Sequence, residues 1–319
     1  MRSVHHAHRP LQSCYIVLMA HAFKHVAIFG KPRVDGSRPA LQSTLLEIAR
    51  IVEAAGQSVM FDDATRDAAG LDQFPGYALQ AIGKTADVAV VLGGDGTMLG
   101  IARELSPFRV PLIGINHGRL GFITDIAVGQ MPEVLAAMLA GRFETDRRAL
   151  LDAEVRRAGA VVYRARAIND VVVSRGVTGG MVEFTVRVDG VTMYNQRADG
   201  VILATPTGST AYALSASGPI LHPSVAGMVL VPVAPQTLSN RPIVLPDSVV
   251  IEIEITDVRD AAAHFDMQAF TSLAPGDVVR ARRSDDVVTL LHPVGYNYFA
   301  TLRQKLHWNI MPADAQGRN

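Results

Sequence analysis

The chain has 319 residues, 49% of them apolar and 19% charged, which is enough for one large domain or two ordinary ones with a filled core. Thirty basic and thirty acidic side chains cancel, so no gross field exists to hold nucleic acid or an anionic membrane, and any anionic ligand must be gripped locally. The single cysteine, Cys14, excludes an internal disulfide framework and a cysteine-based zinc site, and makes the cytoplasm the expected compartment.

In chain order, Arg2, Arg9 and the apolar stretch Cys14 to Ala20 imitate a signal peptide only at its short limit. Residues 1–23 read instead as a disordered extension, because the first regular pattern starts at His25. No run of eighteen apolar residues occurs, so no transmembrane helix is expected. Val26 to Phe29 is a strand, and Leu41, Leu45, Ile48, Val52 and Ala55 then recur at steps of four and three before a glycine stop at Gly56. Further strands are expected at Ser58 to Phe61, Val88 to Leu92 and Val110 to Ile115, with helices at 77–84, 97–105 and 131–140. Such alternation implies an α/β domain over 24–145 with a mostly parallel sheet.

From about residue 146 the period becomes two. Phe184, Val186 and Val188 lead into the hairpin signal Asp189-Gly190, and Val191 and Met193 are expected to continue on the same face. Ile251, Ile253 and Ile255 alternate with glutamates, and Val278 to Arg282 and Val287 to Leu291 read as another strand pair. A β-rich, antiparallel, sandwich-like domain over 146–294 follows, with 295–319 expected to pack back on the first domain. A cleft between domains is a common ligand site.

Three stretches carry chemistry. The Val88 to Leu92 strand ends in Gly93-Gly94-Asp95-Gly96 and resumes at Thr97 as a helix, an arrangement whose free N–H groups and dipole suit phosphate. The glycines permit positive φ and close backbone approach. Asp95 is then either a plain helix cap or a proton-transfer group. Neither G-x-G-x-x-G nor a Walker loop fits, since Leu99 replaces the third glycine and Ala78 the first glycine ahead of Gly83-Lys84-Thr85. The second stretch sets Asn169 and Asp170 inside an apolar strand pattern, which fits a site edge. The third, 199–215, brings Thr205, Thr207, Ser209, Thr210 and Ser215 around Pro206 and Gly208, a rim of hydroxyls for a sugar or amide ligand with Tyr212 as a stacking face. A glycine-rich loop at 116–121 adds Asn116 and Arg119, the latter able to meet phosphate. Ser209 lacks the G-x-S-x-G elbow of a hydrolase, and the histidines show no paired metal spacing.

"GGDGTML" at 93–99, "NHGRLGFITD" at 116–125, "NDVVVSRG" at 169–176, "DGVILATPTGSTAYALSASGPILHP" at 199–223 and "APQTLSNRPIVLP" at 234–246 together resemble the NAD kinase family, over about residues 24–305. The first block is shared with lipid kinases and phosphofructokinases; the combination is specific. The resemblance implies phosphoryl transfer from ATP to the adenosine ribose 2′-hydroxyl of NAD, giving NADP, with a divalent ion such as Mg²⁺ on the phosphates and no protein metal ligands assigned. It implies Asp95 as proton acceptor beside Gly93, Gly94, Gly96 and Thr97, with Asn169, Asp170, Arg197, Asp199, the segment Thr210, Ala211, Tyr212, Ala213, Leu214 and Ser215, and Gln268 on the dinucleotide. It further implies a homodimer or homotetramer whose site a neighbouring subunit completes. Gly180 stands where some bacterial members place a longer polar side chain. The rival functions are a lipid kinase sharing the glycine turn and a non-catalytic NAD(P) sensor.

Overall fold

The computed structural model describes residues 23–31, 38–118, 121–176 and 180–308. The chain divides into two compact units. One comprises residues up to Asp95, Pro111–Asp146 and from Leu290 onward; the other comprises Gly96–Val110 and Arg147–Thr289.

The first unit is built on a parallel sheet. Its strand order runs Leu112–Asn116, Val88–Gly93, His25–Gly30, Ser58–Asp62, Gly76–Tyr77. Leu290 and Leu291 add in parallel outside Leu112 and Ile113. The opening strand thus has the second strand on one side and Val88–Gly93 on the other, so the winding direction reverses beside the end of Val88–Gly93. Ligands of open α/β sheets bind outside the carboxyl ends of the strands at such a reversal. Helices Arg38–Ala54 and Met131–Leu139 supply Leu45, Ile48, Leu135 and Met138 to one core with Val26, Ile28, Val90 and Ile113.

The expected helices appear at Leu79–Thr85, Asp95–Leu105 and Met131–Leu139. One helix, Asp63–Ala69, has no counterpart in the hydrophobic pattern, because it buries only Thr65 and Ala69. Its ends carry the signal instead: the Asp62 side chain accepts from Thr65 N, and Gly70 closes the helix in the left-handed region. Residues 1–22 lie outside the described residues. Phe23, expected to belong to the extension, is buried and stacks on Phe143 at 5.7 Å between ring centroids.

The second unit packs two antiparallel sheets. One contains Val191–Ala198, Val182–Val188, Ile251–Asp257 and the first part of Val278–Pro293 in that order, with Ala160–Ala167 joined through Phe143–Arg157. The other is six-stranded, in the order Ile243–Pro246, Gly227–Val233, Gly200–Ala204, Asp170–Arg175, Ala261–Phe265, Ala269–Leu273. Phe184, Val186 and Ile253 of the first meet Val171, Val173, Leu203 and Met228 of the second in one buried cluster, which is the sandwich arrangement.

Two strand expectations need correction. Asp189 and Gly190 both take positive φ, 48° and 77°, as the two-residue hairpin requires, but Val191 is 71% exposed. A bulge leaves Met193 without an opposite residue, since Val186 faces Tyr194 and Arg187 faces Thr192. The buried phase therefore passes to Gln196 and Ala198. Residues 278–293 form a single strand, not a pair. The buried positions shift from Val279 and Ala281 to Ser284, Val288 and Leu290, and Ser284 Oγ accepts from Asp286 N at the slip. A change of phase in the pattern thus marks an irregularity within one strand.

Candidate active site

The helix Asp95–Leu105 starts on the aspartate itself, two residues earlier than the pattern implies. None of Gly93, Gly94 and Gly96 takes a positive φ, contrary to that part of the expectation. A Cβ on Gly94 would meet nothing within 4 Å, and Gly94 and Gly96 are exposed, so the space over the head of the helix is open. The first N–H groups of the helix therefore open to solvent beside the half-buried Asp95.

Asp95 is not a cap for its own helix. Its Oδ2 accepts from Phe122 N at 2.8 Å, and its Oδ1 from Thr124 Oγ1 at 2.9 Å and Ile123 N at 3.3 Å. The Thr124 hydroxyl is aimed, because it accepts from Asn116 Nδ2 at 2.8 Å and so donates to Asp95. Asn116 Oδ1 accepts from Gly118 N at 2.7 Å, and the side chain is buried. This amide therefore braces the loop, where the reading of the 116–121 loop as a binding element had set it among the ligand contacts. Gly121 is required here, since a Cβ would stand 1.9 Å from Asp95 Oδ1. Arg119 lies outside the described residues.

A carboxylate has about four lone-pair sites. Three are filled by the 122–124 segment, two on Oδ1 and one on Oδ2. Among the described residues no second donor reaches Oδ2.

In the second unit the polar pair surrounds a buried acid that the sequence motifs passed over. Asp266 and Met267 form the turn between Ala261–Phe265 and Ala269–Leu273, with positive φ of 51° and 54°. The strained turn folds the Asp266 carboxylate under three consecutive amides, Ile168 N at 3.0 Å, Asn169 N at 2.7 Å and Asp170 N at 3.2 Å. Arg103 neutralises it at 2.6 Å and also donates to Gln268 Oε1 at 2.6 Å. Gln268 Nε2 in turn donates to Gly96 O at 2.7 Å. Gln268 thus holds the first turn of the helix, and its amide is committed to protein at both ends.

Asp170 is buried, and its Oδ1 has no hydrogen-bond partner among the described residues. Burial, then the negative Asp266 nearby, push its pKa up to about 7. Asn169 is half-buried beside it, with its carbonyl accepting from Thr205 N at 2.9 Å. Gly208 passes so close that a Cβ would lie 2.0 Å from that carbonyl oxygen, which fixes the 205–210 turn against Asn169.

The hydroxyl rim behaves differently from the expectation. Thr205 Oγ1 donates to Ile168 O and accepts from Gly208 N. Ser209 Oγ donates to Pro206 O at 2.6 Å and accepts from Leu221 N at 2.9 Å. Thr207 accepts from Arg148 at 3.2 Å, and Thr210 donates to Thr207 O at 3.1 Å. These groups rigidify the turn; buried donors and acceptors must be satisfied locally. Ala213 belongs to the core, Ala211 and Leu214 are half-buried, and Ser215 and Tyr212 are exposed. Arg197 pairs with Glu183 at 3.5 Å and Asp199 with Arg175 at 2.9 Å, all partly exposed. Gly180 takes φ of 99° in open space. Among the described residues no three His, Cys, Asp or Glu side chains gather as a metal site.

Against known proteins, the ATP-NAD kinase N-terminal domain family matches residues 26–143 and the ATP-NAD kinase C-terminal domain family matches residues 168–292. The chain belongs to the NAD kinase family. NAD kinase of Cupriavidus pinatubonensis is 54% identical over 292 residues, which cover 92% of this chain and 94% of that relative. Yeast NADH kinase, solved with NADH, shares the fold with a TM-score of 0.82 at 24% identity, over 91% of this chain and 89% of its own. NAD kinase of Archaeoglobus fulgidus, solved with ATP, does so with 0.67 at 24% identity, over 89% and 98%. The NAD kinase match favours phosphorylation of a dinucleotide over both a lipid kinase and a non-catalytic sensor.

Proposed function

We propose that the chain transfers the γ-phosphoryl group of ATP to the 2′-hydroxyl of the adenosine ribose of NAD, with Asp95 Oδ2 as proton acceptor. The observation that carries this role is the Asp95 carboxylate itself, at the head of a helix, oriented by three donors and, among the described residues, left with one accepting position. The P–O bond to ADP breaks, the bond from phosphorus to O2′ forms, and the hydroxyl proton passes to Asp95. Phosphoryl transfer is loose at its transition state, so alignment and charge stabilisation dominate and a weak, fixed base suffices.

The open N–H groups at Gly94 to Thr97 suit the phosphates. ATP enters as its magnesium complex, so the metal arrives with the substrate. Asn169, Asp170, Arg197, Asp199 and Tyr212 are assigned to the dinucleotide. The buried, unpartnered Asp170 Oδ1 is the strongest support among them, since a ribose hydroxyl would satisfy it. Thr205, Ser209, Asn116 and Gln268 act through the shape they impose. The proposal includes a homodimer or homotetramer in the cytoplasm, tested by light scattering and by fractionation; no helix among the described residues is long and apolar enough to cross a membrane.

The deciding experiment mixes protein, magnesium ATP and NAD and measures NADP. Absence of NADP, with ATP consumed against a lipid or a sugar, would overturn the proposal.

A further inference from the structure

His292 closes the strand Val278–Pro293 and is 1% exposed. Its Nδ1 stands 2.8 Å from Asp125 Oδ2 and its Nε2 3.5 Å from Asp146 Oδ2, and its ring lies 3.8 Å from and nearly parallel to that of Tyr296. Burial disfavours the imidazolium, but the two carboxylates more than offset it and raise the pKa above the usual histidine value. A buried imidazole with an acid beside each ring nitrogen is fixed in orientation, and through Nδ1 it fixes Asp125 in turn.

What it holds is the segment that grips Asp95. Asp125 follows Thr124 directly, and Thr124, Ile123 and Phe122 each donate a hydrogen bond to the Asp95 carboxylate. The segment is a tight turn closed by Gly121 N donating to Thr124 O at 2.9 Å. Its far end enters the sheet at Ile126, opposite Ile115. Between the turn and the sheet, Asp125 is held through its side chain by His292 Nδ1 at 2.8 Å.

We propose that His292 is a positioning residue for Asp95: by anchoring Asp125 it fixes the 122–124 donors and thereby the direction in which Asp95 Oδ2 points. The inference rests on the reading of Asp95 as proton acceptor. His292 reaches the reacting atoms only through Asp125 and the turn.

The test uses full-length His292→Gln and Asp125→Asn, with Asp95→Asn as reference. NADP formation is expressed per NAD-binding site, counted by calorimetry, so that a loss of folded protein does not count as a loss of turnover. Expected is a fall in kcat of about 10-fold or more for both variants, the scale of a misplaced catalytic group, with KM for NAD and for ATP within about twofold. Amide exchange at 121–125 should accelerate while exchange in Val88–Gly93 stays slow. A merely structural role would move stability and leave kcat per site and local exchange as in the wild type, and that result would overturn the inference. Should His292→Gln fail to fold, the isosteric Asp125→Asn decides by the same readouts. If the wild type forms no NADP, or Asp95→Asn retains full turnover, the underlying reading fails along with this one; if those controls behave and kcat per site is unchanged, only the role of His292 falls.

Discussion

Replacing Asp170 by asparagine removes a carboxyl group that the fold keeps in an environment hostile to its charge. Its pKa rises from 3.8 to about 7, first through burial and then through the Asp266 charge. A raised folded-state pKa means that stability is fully present below the unfolded pKa and is lost as pH rises through the folded one. A tenfold difference in proton affinity between the folded and unfolded chains is worth about 1.4 kcal/mol. Between about pH 5 and about pH 8 the wild type should therefore lose roughly 2 to 3 kcal/mol through this group alone. Asp170→Asn keeps the shape and cannot ionise, so it should become more stable relative to wild type by that amount over the same interval. The assay is urea unfolding of both ligand-free proteins, followed by circular dichroism at the two pH values. Parallel pH dependence in the two proteins would mean that Asp170 is ionised without penalty in the fold, and the account of its burial would be wrong.

Further outcomes follow from the same contacts. Asp95→Asn should keep NAD binding, measured by calorimetry, while NADP formation falls by roughly 10² to 10⁴-fold, the usual scale for a general base. Gly121→Ala places a methyl group on Asp95 Oδ1 and should displace the carboxylate or the turn; turnover should fall with little change in far-UV circular dichroism. Arg103→Met leaves Asp266 buried with its three amide donors but without a cation. Breaking a buried pair from one side should cost roughly 3 kcal/mol, readable as a shift in the denaturation midpoint.

Much of the fold is legible in local pattern. The step of three and four from Leu41 to Val52, the run Val88 to Leu92 and the alternation Ile251 to Ile255 each declare their element, because side-chain period follows backbone geometry. The family blocks carried the function, since the glycine turn, the 169–176 strand and the 199–223 segment occur together in the expected order. Local pattern was misleading where one residue changed the phase, at Met193 and again near Ser284. It was silent where a short helix buries only Thr65 and Ala69.

At the site the division is sharper. Motif and order make Asp95, Asn169 and Asp170 candidates, because the residue types that chemistry needs are visible one at a time. Which polar atoms remain free is a property of partners distant along the chain. Asp266 lies 96 positions from Asp170, Asp125 lies 167 from His292, and no period or spacing connects them. The hydroxyls of Thr205 and Ser209 looked like ligand donors in the sequence and are consumed by the turn they stand in. Periods and motifs that act over a few residues were enough for the architecture and for the candidate base. How Asp95 is aimed, and why Asp170 resists ionisation, came only with the packed fold, because hydrogen-bond saturation and desolvation arise once distant segments meet.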